Sequence, residues 1–134
     1  MTSKMDDLYK ENILDHYQHP HNHGTIPDAD VTYEDSNPLC GDKIRMDMKI
    51  QNGVVVDVKF TGKGCAISQA SASMLTDEIM GKPLTEIQHI DKQVVLDLLG
   101  IPLGPTRIKC ALLPLKVIKV GAYGINDSID EEEE

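Results

Sequence analysis

Basic residues are scarce in this 134-residue chain: 13 Lys and Arg stand against 22 Asp and Glu, a formal net charge of −9. Without a concentrated basic face, neither nucleic acid nor an anionic membrane surface is a natural partner. Asp127, Asp130 and Glu131 to Glu134 supply six of those negatives, which leaves −3 of the −9 for residues 1–126. A like-charge run of this kind buries too little to fold, so 127–134 reads as an acidic disordered tail behind a single domain, 1–126. Long apolar runs are absent as well. The N-terminal "MTSKMDDLYKENILDHY" carries acidic residues where a secretion signal would have its apolar core, and the expectation is a soluble, cytoplasmic protein. Cysteine is sparse and odd in number, three in all, with no Cys-x-x-Cys. In a reducing compartment that argues against disulfides, and the spacing argues against a closed structural zinc site. The thiols are left as ligands, nucleophiles or buried apolar groups.

Met5 to Tyr17, "MDDLYKENILDHY", places Leu8, Ile13, Leu14 and Tyr17 at helical spacing, and Pro20, Gly24 and Pro27 end that helix. "VTYED" at Val31 to Asp35 is a short strand. In "KIRMDMKIQ" the residues Ile44, Met46, Met48 and Ile50 alternate with charged or polar ones, the period of a strand with one buried face. After the turn dipeptide Asn52-Gly53, Val54 to Phe60 repeats the pattern, which completes a three-stranded antiparallel meander. From Ala66 the period becomes helical, up to Gly81 and Pro83; one or two short helices then run to Gly100. Because proline is tolerated in a helix only in the first turn, Pro114 predicts a last helix that begins between about Cys110 and Leu113. The fold class is α+β, a three-stranded antiparallel sheet packed against helices.

In such a meander the end of the third strand returns to the loop between the first two. That loop is "SNPLCGD" and the strand ends in "TGKGCA", so Cys40, Asp42 and Cys65 converge on one edge of the sheet. Cys65, and on this reading Cys110, stand at helix starts, where the dipole favours thiolate. Three thiolates and one carboxylate form a ligand set for zinc or an iron–sulfur centre, and the oxygen ligand makes the site exchangeable. The competing reading keeps each cysteine as a small buried hydrophobe and Asp42 as a turn residue bonding its own backbone. His16, His19, His21 and His23, interrupted by Pro20 and Gly24, read as a solvated loop, and His89 as a surface residue.

With those motifs in view, the chain resembles the U-type iron–sulfur cluster assembly scaffolds, which include the NifU N-terminal domain, IscU and SufU. The matching segments are "LYKENILDHYQHPHNHG" (Leu8 to Gly24), "NPLCGDKI" (Asn37 to Ile44), "GKGCAISQASASMLTDEI" (Gly62 to Ile79) and "RIKCALL" (Arg107 to Leu113). The resemblance implies a non-enzymatic scaffold that accepts sulfur from a cysteine desulfurase, assembles a [2Fe-2S] cluster and passes it to recipient apo iron–sulfur proteins. Its ligands would be Cys40, Asp42, Cys65 and Cys110, with Cys110 the persulfide acceptor and Lys109 an electrostatic aid to its thiolate. Lys109 stands where IscU-like members carry histidine, as in SufU-like members, yet the 44 residues between Cys65 and Cys110 are the shorter, IscU-like interval. The SufU side of the resemblance implies the alternative, a zinc-dependent sulfurtransferase on the same four residues. Of the chaperone-binding pattern of IscU, only Leu103 and Pro105 match, and "PLGPTR" reads as a stiff connection into the last helix.

Overall fold

Alternating apolar and charged residues build the sheet that positions everything else in the computed structural model, which describes residues 4–37 and 41–123. Strands β1 (Val31–Asn37), β2 (Asp42–Gln51) and β3 (Val54–Lys63) pair antiparallel in the order β1-β2-β3. Ile44, Met46, Met48, Val58 and Phe60 all point inward and are at most 1% exposed. Burying each such side chain is worth about 1.5–3 kcal/mol, which pins the register, since a one-residue slip would turn all of them outward. The β2–β3 turn is Asn52-Gly53, both at positive φ (54° and 76°), as a tight hairpin requires. On the outward face, Asp47 is nonetheless buried. It accepts from the Ile26 amide (2.9 Å), the Thr32 hydroxyl (3.0 Å) and Arg45 Nε (3.1 Å), and so ties the approach to β1 onto the sheet. Burial alone would raise its pKa, but these hydrogen bonds outweigh that and hold it below the usual carboxylate range.

Helix α1 (Lys4–Gln18) precedes the sheet, and α2 (Ala66–Ile79), α3 (Leu84–Ile87), α4 (Lys92–Leu99) and α5 (Pro105–Tyr123) follow it. α5 lies against β1 and β2, α2 against β3, and α1 packs on α2, so α2 is enclosed. Every residue from Ile67 to Thr76 is buried, and the small side chains Ala70, Ser71, Ala72 and Ser73 let three neighbours approach at once. α4 is capped by Asp91, whose carboxylate accepts from the Gln93 and Val94 amides, and ends on Gly100 at φ 69°.

Three expectations from the sequence need correction. α1 buries Ile13 and His16, while Leu8, Leu14 and Tyr17 are exposed, because what covers the helix is the polar, small-residue α2 rather than a broad apolar surface. The histidine tract is solvated only in part: His19 and His21 are exposed, but His16 is buried with Nδ1 2.7 Å from Ser73 Oγ, His21 Nδ1 meets Asp77 Oδ2 at 2.6 Å, and the His23 ring stands edge-on to Phe60. Finally, α5 begins at Pro105, which takes the first helical position where a missing amide costs nothing, and Pro114 lies deep inside the helix. His89 is exposed, as expected. The tail 127–134 lies outside the described residues.

Candidate metal centre

The site forms where β2 starts, β3 ends and α5 crosses above them. Asn37 pairs with Asp42 and Lys43 with Lys63, so the meander returns the chain to Asp42 just before Cys65. Asp42 is fully buried. One of its oxygens, Oδ1, accepts the Cys65 amide at 2.8 Å, and the other, Oδ2, lies 3.7 Å from Cys65 Sγ. This contact requires glycine at position 64: its φ is 132°, and a Cβ there would collide with the Asp42 carboxylate. Cys65 is the N-cap of α2, as its place in the sequence predicts. The turn reading of Asp42 is overturned, because its carboxylate bonds an amide 23 residues away.

Cys110 reaches the same place by another route. It is 1% exposed and lies in the second turn of α5, so the helix-start argument for its thiolate does not apply. Pro114 cannot donate to the Cys110 carbonyl, the bond a regular helix would place there. The next carbonyl, Ala111, accepts from Ser71 Oγ of α2 at 2.7 Å, which joins this turn of α5 to the helix that begins at Cys65. The ligand atoms of Asp42, Cys65 and Cys110 all lie within 4.8 Å of one another. Around tetrahedral zinc, sulfur and oxygen ligands stand about 3.5 Å apart and two sulfurs about 3.8 Å, so the donor set suits a small thiophilic centre. Cys65 is a free thiol, whereas Cys110 is disulfide-bonded, contrary to the expectation of unpaired thiols. Cys110 must be reduced before it can bind a metal.

Of the other residues singled out from the sequence, Lys109 is exposed beside Cys110, and Cys40 lies outside the described residues. A cleft of about 340 Å³ runs alongside the centre, lined by Tyr17, His23, Lys63, Gly64 and Gln69 among others. Two residues that motif reading missed are Ser68 and Gln69, buried next to Cys65. Their signal was available: polar side chains in a helix enclosed on all sides must find hydrogen bonds there. Among the described residues, no helix is long and apolar enough to cross a membrane.

The chain is similar to several known proteins. The chain is 38% identical over 136 residues to the zinc-dependent sulfurtransferase SufU of Bacillus subtilis, covering 89% of this chain and 92% of that protein. It is 37% identical over 129 residues to the iron–sulfur cluster assembly scaffold protein IscU of Thermotoga maritima, covering 84% and 90%. In structure it resembles a chain from Fervidobacterium islandicum assigned to cluster assembly for the SUF system, with a TM-score of 0.72, 31% identity, and coverage of 84% of this chain and 94% of that one. Residues 8–129 match one domain family, and the chain belongs to it: the NifU-like N terminal domain family.

Proposed function

We propose that this chain is a scaffold for iron–sulfur cluster assembly, which receives sulfur from a cysteine desulfurase, builds a [2Fe-2S] cluster on Cys40, Asp42, Cys65 and Cys110, and hands it to recipient apoproteins. The observation that carries this reading is the meeting of Asp42, Cys65 and Cys110 from three separate elements within 4.8 Å. Sulfur enters when the reduced Cys110 thiolate attacks the outer sulfur of the donor's persulfide. The donor's S–S bond breaks, a new one forms on Cys110, and the donor leaves as thiolate. Lys109, one residue away and exposed, favours the thiolate form electrostatically. Asp42 supplies one oxygen to a centre otherwise held by sulfur, the weakest grip in the set and the point where cargo is released.

The likeness to the B. subtilis sulfurtransferase supports a second reading, in which the same residues would hold zinc and Cys110 would take up persulfide sulfur. In that reading zinc would stabilise the thiolates, and the bond from the Cys65 amide to Asp42 would hold those two residues in place. Anaerobic purification of the reduced chain, with a visible spectrum and iron, sulfide and zinc analysis, separates the two. Equal iron and sulfide, lost in Cys65→Ser and Cys110→Ser, bears out the scaffold. One zinc per chain and no sulfide after reconstitution with iron and a desulfurase overturns it in favour of sulfur transfer.

A further inference from the structure

The Cys65 sulfur has a neighbour on its own helix that neither reading uses. Ser68, one turn into α2 and fully buried, has its Oγ 4.0 Å from Cys65 Sγ and 3.2 Å from the Cys65 carbonyl. Gln69, 9% exposed, donates from Nε2 to the same Oγ at 3.2 Å. The amide is seated over Gly62, where a Cβ would approach Gln69 Oε1 to 3.1 Å, so the bare backbone of Gly62 makes its place. A serine hydroxyl has one proton and two lone pairs. With one lone pair taken by Gln69, its proton has the Cys65 carbonyl and the Cys65 sulfur as its acceptors among the described residues.

We infer that Ser68, held by Gln69, is a positioning residue for the Cys65 sulfur, giving it a hydrogen bond when it binds a metal or cluster. In the free thiol the S–H proton has two acceptors, Asp42 Oδ2 and Ser68 Oγ. Once a metal replaces that proton the sulfur can only accept, and the Ser68 hydroxyl turns from the carbonyl to the sulfur. A hydrogen bond of this kind lowers the electron density on the thiolate and fixes the direction of its lone pairs, as partners of metal ligands generally do. The inference rests on Cys65 being a ligand, and the test below examines that separately.

The experiment uses the reduced full chain with zinc alone and with cobalt(II) alone as probes. Ser68→Ala is expected to weaken zinc binding about tenfold in chelator competition and to move the sulfur-to-cobalt charge-transfer band to lower energy. Ser68→Thr restores both, and Gln69→Leu shifts both in the direction of Ser68→Ala; it also decides the matter should Ser68→Ala fold poorly. A purely packing role would change stability and leave the band where it is. An unmoved band in Ser68→Ala and Gln69→Leu, with Cys65→Ser still removing part of that band, overturns the inference while the ligand reading stands. Zinc and cobalt binding unaltered in Cys65→Ser overturns both.

Discussion

Gly64 shows how one backbone position decides whether the centre exists. Its φ of 132° lies where side chains are strained, and its missing Cβ leaves room for the Asp42 carboxylate that accepts the Cys65 amide. Gly64→Ala should cost the metal-free reduced chain about 2–4 kcal/mol in urea denaturation, the sum of strain and collision. Gly24 provides the control. Its φ is 138°, but an added Cβ would meet only Lys59 Cδ at an ordinary 3.6 Å, so Gly24→Ala should show the strain alone. Equal losses in the two variants would mean that the packing of Asp42 under residue 64 contributes nothing.

At the level of elements, two junctions hold the site in place, and each has its own signature. Pro114 leaves the Cys110 carbonyl of α5 without its helical donor, and the neighbouring Ala111 carbonyl accepts from Ser71 of α2. Pro114→Ala restores a regular helix, which favours stability by up to about 3 kcal/mol, but lets Cys110 leave its place. The expected outcome is a metal-free chain with a higher Tm and a weaker zinc affinity; a higher affinity would show that Pro114 does not aim Cys110. The second junction is α1 on α2. Burial first, and the adjacent His21 second, hold His16 below the ordinary histidine value, against the opposing pull of Asp77 and Asp15. A lowered folded pKa means that the unfolded chain binds the proton more readily. The stability it contributes is therefore complete above about pH 6.5 and is lost as pH falls through the lowered folded value. The urea midpoint should drop between pH 7.5 and pH 5.5, and His16→Gln should flatten that part of the curve; an unchanged slope would exclude His16 as its source. The sheet and the return of β3 to Asp42 were readable from alternation and the Asn52-Gly53 turn, because both are local patterns. The docking of His16 and the true start of α5 were not. One depends on which helix covers which, and the other on Pro105 taking the first position, so that the later proline is carried by tertiary contacts.

Across the whole molecule, the centre draws on β2, the start of α2 and the second turn of α5, so its occupant ties together elements distant in sequence. A ligand that binds only the folded chain stabilises it by about 2.7 kcal/mol at a hundred times its Kd, or roughly 10 °C in Tm for a domain of this size. Zinc added to the reduced protein should raise Tm by that order, and Cys110→Ser should lose most of the rise; an equal rise in the variant would place the binding elsewhere. The bond between Asp42 Oδ1 and the Cys65 amide has a consequence for the cell's common ions as well. With that oxygen already engaged, Asp42 has a single oxygen to offer, surrounded by sulfur. Calcium and magnesium, which demand six or more oxygens, are poorly served there, whereas thiophilic metals need no more than is present. On the proposed reading, the hydrogen bond that seats one thiol thus also acts as a filter, disfavouring the abundant hard cations at a berth for scarce ones.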